Sequence, residues 1–456
     1  MGRMEQPDWH GPLTEAYEQA TRFLTGLPSR PVGSSAGPDE LRAALGGPLP
    51  DAGTDAREVI ARLAAAADAG IVASPSGRFF GFVIGGATPA ALAADWLTAT
   101  WDQNAGLYTA GPSAAIVEEV AGGWLRDLFG LPGHTSVGFV TGAQMSHVTA
   151  LAAARHEVLR RVGWDVETGG LHGAPRITVV AGADRHSTID RALRFLGIGT
   201  AALVPVGVDD QGRMRPDALH TALDDIDGPV IVCAQLGNVN TGACDPIAAI
   251  CDMAHARGAW VHVDGAFGLW AAASARHRHL VTGVDRADSW TTDAHKWLNV
   301  PYDSGLVFCA HPQAHRAAMG VRAAYLVHAG GNERDALDHN PEFSRRARGF
   351  PVYAALRTLG RTGVEALVDR SCALATRFAT HMGDAVLNEV VLNQVLLTFG
   401  PQTPALIHHV REEGTCWVSG TTWQGQPAMR FSVSNHSTDE SDIDRAAEVI
   451  LRLAAS

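Results

Sequence analysis

The sequence predicts an α/β fold built on a mostly parallel sheet with helices on both faces. Three observations carry that expectation. Apolar runs with the length and composition of buried strands occur at RITVVAG (176–182), ALVPV (202–206), PVIVCAQ (229–235), AWVHVDG (259–265) and GLVFCA (305–310). Amphipathic helix candidates flank and separate them: SHVTALAAARHEVLRR (146–161), STIDRALRFLG (187–197), RPDALHTALDDI (215–226) and PIAAICDMAHARG (246–258). Finally, 456 residues at 46% hydrophobic content suffice for a core divided between two domains or more, and 18% charged residues argue against disorder.

Taken in order, residues 1–78 read as an N-terminal helical arm. Pro/Gly-rich joints, LPSRPVGSSAGPDE and GGPLPDAG, break it, and AREVIARLAAAADAG has helical periodicity with a stop at Gly70. So short a helical piece has little core of its own and must pack on something larger. Residues 79–349 carry the alternating strands and helices of a large domain. Residues 350–456, with further helices and short strands such as MRFSVSN, read as a small α+β domain.

The formal net charge of −12 argues against binding nucleic acid or an anionic membrane. Cys233, Cys244, Cys251, Cys309, Cys372 and Cys416 include no CxxC pair and read as free thiols, which points to a reducing, cytoplasmic compartment. The start lacks a signal-peptide pattern, and no window reads as a membrane span.

In open parallel sheets, ligands bind beyond the carboxyl ends of the strands, so polar residues there are informative. Lys296, in TTDAHKWLNVPYDSG (291–305), sits between His295 and Trp297 in apolar surroundings. It reads either as a lysine at a surface turn or as a partly desolvated amine able to form a Schiff base. Asp264 ends a strongly apolar strand in HVDGAFG (262–268) and by itself could cap a helix or bind a metal. Together with a lysine beyond it, Asp264 suits pyridoxal 5′-phosphate (PLP), whose pyridine nitrogen needs a carboxylate to stay protonated. Ala266 is small enough for a ring to lie against it. The turn TGA (141–143) opens a helix whose N-terminus suits a phosphate near Ala143 and Gln144. His186, in ADRHSTID, reads either as part of an ordinary helix start or as an imidazole stacked on the ring. There is no HExxH, Walker lysine loop, GxSxG or post-strand GxGxxG, and the histidine clusters lack metal-ligand context, so no metal is expected.

These motifs, in this order, resemble the group II PLP-dependent amino-acid decarboxylases, which include the aromatic-L-amino-acid and glutamate decarboxylases. The resemblance runs from about Leu13 to the C-terminus. It rests on RFFGFVIGGATPAALAADWL (78–97), the TGA turn, ADRHS, HVDGAFG, DAHKWLNVP, SRRARGFPVYAALR (344–357) and MRFSVSN (429–435). It implies PLP fold type I, with a seven-stranded type of sheet, a small C-terminal domain and a homodimer intertwined through the arm.

By position, the resemblance implies that Lys296 holds the cofactor and Asp264 pairs with the pyridinium. His186 would stack on the ring, and Ala266 would contact its other face. Ala143, Gln144 and His295 would surround the phosphate, and Phe80 and Phe82 would lie near the substrate. Two departures stand out. LGNVNTG (236–242) replaces a threonine-rich strand end, leaving Asn240 or Asn238 to meet the phenolic oxygen. The stretch GGNERDALDHNPEFSRR (330–346) lacks the family's loop tyrosine, so His339 is the expected proton carrier, with Tyr325 and His328 upstream. The implied reaction is decarboxylation of an L-amino acid, an aromatic or other apolar one, to the amine. The alternatives on the same scaffold are aldehyde synthesis by oxidative deamination and Cα–Cβ cleavage.

Overall fold

Seven strands form one sheet in the computed structural model, which describes residues 8–321 and 333–456: β1 (Ser136–Val140), β2 (Thr178–Gly182), β3 (Leu203–Val206), β4 (Val230–Gln235), β5 (Trp260–Asp264), β6 (Ser289–Asp293) and β7 (Gly305–Cys309). Their order is β1-β7-β6-β5-β4-β2-β3. β7 runs antiparallel to β1 and β6, while the pairs from β6 through β3 are parallel. The five apolar runs all form strands. β6, reading Ser-Trp-Thr-Thr-Asp, escapes a search for apolar runs, yet every one of its residues is buried.

The arm holds α1 (His10–Gly26), α2 (Pro38–Leu45) and α3 (Ala56–Ala67), followed by α4 (Pro89–Trp101) and α5 (Pro112–Leu128). Next come α6 (Ala143–Arg161), the single turn α7 (Val166–Gly169), α8 (Thr188–Phe195), α9 (Pro216–Asp224), α10 (Ile247–Ala256) and α11 (Pro312–Met319). Alternation along the strands divides the side chains between two layers. Val179, Ala181, Ile231, Cys233 and Trp260 pack with Leu151 and Leu159 of α6 and Ile189 and Leu193 of α8. Val180, Val232, Ala234, Val261 and Val263 pack with Leu125 of α5, Leu219 of α9 and Ile250 of α10 on the other side.

A second, antiparallel sheet in the order β8-β10-β9 contains β8 (Gln394–Leu397), β9 (Ser419–Trp423) and β10 (Gln426–Ser432). The long α12 (Gly349–Met382), with α13 (Thr403–Glu413) and α14 (Glu440–Ala454), completes the chain. α12 serves both cores. Val352 through Cys372 pack with the large sheet's second layer, and Leu374 through Met382 pack with Val395, Met429, Phe431 and Ile443 of the small one. Gly360, at φ 63°, interrupts its helical geometry.

Phe80 belongs to that small core, which corrects its expected place near the substrate. It is fully buried, stacks on Phe431 at 3.9 Å between ring centroids, and donates its backbone N–H to Trp417 O. Phe79 and Phe80 are both buried, whereas Phe82, beyond Gly81 and at φ 55°, is more than half exposed.

Candidate active site

Because β1, β4, β5 and β6 run the same way, their carboxyl ends meet at one edge of the sheet, where a cavity of about 320 Å³ opens. Its wall includes Lys296, Asp264, Ala266, His186, His295, Ala143, Gln144 and Phe82 from the expected set. Val83, Thr188, Gln235, Val239, Phe267 and Asp293 complete much of the rest.

Asp264 is the last residue of β5, and its side chain is held at both oxygens. Oδ1 accepts the Ala266 backbone N–H at 3.1 Å, and Oδ2 lies 3.4 Å from His147 Nε2. Burial alone would raise its pKa. The neighbouring His147, with smaller contributions from His186 and Lys296, outweighs that and holds it below the usual carboxylate range.

Lys296 follows β6 by three residues, and its Nζ lies 3.1 Å from Asp293 Oδ2. Asp293 Oδ1 accepts the Ala143 N–H at 2.7 Å, so this carboxylate sits at the N-terminus of α6. Asn299 fixes the lysine loop. Its Nδ2 donates to Trp297 O and Ser434 O, both at 2.9 Å, and its Oδ1 accepts the His436 N–H. Gly85 presses on the same loop. A Cβ there would lie 1.8 Å from Lys296 O, so only glycine permits the approach. Phe82 and Val83, on the same segment, take φ of 55° and 59°, a strained conformation for such side chains.

Nδ1 of His186 is 2.8 Å from Thr188 Oγ1, and burial lowers the pKa of the ring. His295 Nδ1 accepts the Ser304 N–H, leaving Nε2 facing Asp293 at 3.6 Å, and burial also lowers its pKa.

Two expected residues stand elsewhere. The Asn238 side-chain oxygen accepts the N–H groups of Asn240 and Thr241, and the turn so closed puts Val239, not Asn240, on the cavity wall. Asn238 itself is spent on that turn. His339 lies outside the cavity, buried with its ring edge-on to His315 at 5.2 Å. Burial first, then the Arg334 charge, keeps its imidazole well below the ordinary range, so it is a poor proton donor. Tyr325 and His328 lie outside the described residues.

Reasoning from motifs overlooked four residues. Asp293 and Gln235 are strand ends, and Gln235 stands beside Asp264 in the parallel register. His147 hides in the helix after the TGA turn. Arg430 of β10 is a buried guanidinium whose Nε and Nη2 have no partner, and its charge acts on His186. Burial pushes its pKa down to about 10. One plain signal needed no motif: Lys296 is the only lysine in the chain.

Among the described residues, no helix is long and apolar enough to cross a membrane, and no cluster of three or more His, Cys, Asp or Glu side chains suits a metal.

Residues 38–398 match the model of the pyridoxal-dependent decarboxylase conserved domain. The chain is 31% identical to the L-2,4-diaminobutyrate decarboxylase of Rhizobium meliloti, over 74% of this chain and 66% of that one. It is 29% identical to the aromatic-L-amino-acid decarboxylase of Bacillus atrophaeus, over 83% and 78%. The crystal structure of Oryza sativa TDC with PLP and tryptamine superposes with a TM-score of 0.92 at 24% identity, covering 100% of this chain and 99% of that one.

Proposed function

This chain belongs to the pyridoxal-dependent decarboxylase family, and we propose that it decarboxylates an L-amino acid with an aromatic or other apolar side chain, releasing the amine. It is thus a PLP-dependent amino-acid decarboxylase, and the open matter is the substrate, since relatives differ in theirs. The observation that carries our reading is the wall beyond the ionisable groups: Phe82, Val83, Val239 and Phe267. Both wall carboxylates, Asp264 and Asp293, already face partners, so neither is free for a substrate ammonium at the side-chain end. Among the described residues, Lys296 is the only lysine or arginine on the cavity wall, and it faces Asp293, so no such cation there is free for an acidic side chain.

The donor set fits the cofactor. One amine, two carboxylates at strand ends, two imidazoles, the small Ala266 and a helix N-terminus surround a single cavity. When bound, PLP supplies the electron sink for the bond broken as CO₂ leaves. Lys296 would supply the anchoring amine, and Asp264 would keep a proton on the ring nitrogen. His186 and Ala266 would flank the ring, while Ala143, Gln144 and His295 would meet the phosphate. Phe82 and Phe267 orient the substrate and exclude water.

We further propose a homodimer. Trp9 at the start of α1, Leu13 and Tyr17 of α1, Val59 and Leu63 of α3, and Trp96, Leu97 and Trp101 of α4 are all more than a third exposed, a surface too apolar to leave in water. Sedimentation should give twice the chain mass of 48.1 kDa.

The deciding experiment is an amino-acid panel assayed for CO₂, amine and aldehyde. Amine and CO₂ from aromatic or aliphatic substrates support the reading. Turnover of only acidic or diamino substrates overturns the substrate class. Aldehyde with ammonia, at the expense of oxygen, would replace amine release by oxidative deamination.

A further inference from the structure

Behind Asp264, away from the cavity, a line of buried polar side chains runs through the layer between the sheet and α6. His147 Nε2 lies 3.4 Å from Asp264 Oδ2, and His147 Nδ1 lies 2.9 Å from His262 Nε2. His262 Nδ1 is 2.9 Å from Ser289 Oγ, which also accepts the Trp260 indole N–H at 2.9 Å. His147, His262, Ser289 and Trp260 are all fully buried. The strand geometry explains the alignment. Trp260, His262 and Asp264 alternate onto one face of β5, Ser289 is the register partner of His262, and His147 comes down from the first turns of α6.

The ends of this line constrain its interior. An ionised carboxylate only accepts and an indole N–H only donates. If His147 is neutral, Asp264 requires a proton on His147 Nε2, so Nδ1 accepts from His262 Nε2, and His262 Nδ1 accepts from the Ser289 hydroxyl. If His147 is charged, both its nitrogens donate, His262 Nε2 accepts, and His262 Nδ1 donates to Ser289. His262 accommodates either case because it stays neutral, its pKa pushed down to about 3 by burial and by the neighbouring His147. In both states His147 presents an N–H to Asp264.

We infer that His147, backed by His262 and Ser289, is a positioning residue that keeps Asp264 charged and weakly basic, so that the proton shared with the cofactor's ring nitrogen stays on the nitrogen. This rests on the placement of Asp264 at that nitrogen proposed above. A carboxylate that already accepts an N–H from behind competes less well for the proton in front. With Ala266 N–H on the other oxygen, the same contacts also stop the carboxylate from rotating.

Two measurements test this. In cofactor-free protein with ¹⁵N-labelled histidine, His147 Nε2 should carry a proton from pH 6 to 9, with His147→Phe and His262→Phe used to assign the signals. A bare Nε2 on His147 overturns the inference without reference to any cofactor. In protein loaded with PLP ¹⁵N-labelled at the ring nitrogen, His147→Phe should move that nitrogen's signal at neutral pH toward its unprotonated position, as the more basic Asp264 takes the proton. His147→Gln, whose amide can donate from nearly the same place, should restore it. A ring-nitrogen signal unchanged in His147→Phe, with cofactor still held on Lys296, shows that His147 merely fills space. Failure of the unmutated protein to take up cofactor on Lys296 defeats the functional reading instead, and the histidine spectrum still judges the relay.

Discussion

Lys296 Nζ is paired with Asp293 Oδ2 at 3.1 Å, while the other oxygen of the same carboxylate takes the backbone N–H of Ala143. Asp293 therefore holds the reactive amine and occupies the N-terminus of α6, the place proposed for an incoming phosphate. A carboxylate and a phosphate compete for one set of donors and repel each other.

Asp293→Asn should consequently retain PLP more tightly, by about tenfold if one like-charge contact of roughly 1.4 kcal/mol is removed. Dialysis of loaded protein followed by absorbance of the remaining cofactor measures this. Weaker retention would mean that the aspartate assists binding.

Borohydride reduction of the PLP-loaded protein should place a pyridoxyl mass on one internal peptide, the one containing Lys296. With no second lysine, the only other amine is the chain terminus, so peptide mass spectrometry gives an unambiguous answer. Lys296→Ala should lose the internal label and all decarboxylation.

Phe80 and Phe82 should separate cleanly. Phe80→Ala empties a fully buried place against Phe431 and should destabilise the fold by about 3–5 kcal/mol. Phe82→Ala, at a residue 56% exposed on the cavity rim, should leave Tm nearly unchanged and raise KM for apolar substrates. The opposite pattern would return Phe80 to the substrate.

Acid should destabilise this protein earlier than its carboxylates alone require. Burial holds His262 and His315 down to about 3, with the His147 and Arg334 charges adding to the respective shifts, and His339 is held well below its ordinary range. The unfolded chain binds protons at these sites below about pH 6.5 while the folded one does not. Stability is thus full above 6.5 and falls as pH drops toward 3, by up to about 1.4 kcal/mol per pH unit for each such histidine. His315→Asn, which can keep the bond to Ser136 Oγ, should flatten the slope of unfolding free energy against pH by about that amount.

How much of this was legible in the sequence depends on what each residue does locally. The apolar strands and the helices between them are written in periodicity, and the structure follows it. β6 is not, because its hydroxyl side chains are satisfied by neighbours far away in sequence, as Ser289 is by Trp260 and His262, and Thr291 by Ser146. Lys296, Asp264 and His186 could be picked out as polar residues beyond strands. Asp293, at the end of the polar β6, and His147, inside a helix, could not, since their roles exist only through contacts across the sheet. Phe80 was misread because its partner, Phe431, lies some 350 residues later, and because the left-handed backbone at Phe82 that separates the two side chains leaves no mark in the sequence. His339 was misplaced for a similar reason: a polar stretch suggests an exposed loop, but Ala336–His339 turns under β1, with His339 O close to Gly138.

The sharing of α12 between the two cores has a thermodynamic consequence. Its first half is part of the wall of one hydrophobic interior and its second half part of the wall of the other, so neither interior can melt without fraying a helix that the other needs. Separate sheets would ordinarily give separate calorimetric steps. Here heating should give a single cooperative endotherm, and substitutions that lengthen the break at Gly360 should be the ones that split it in two.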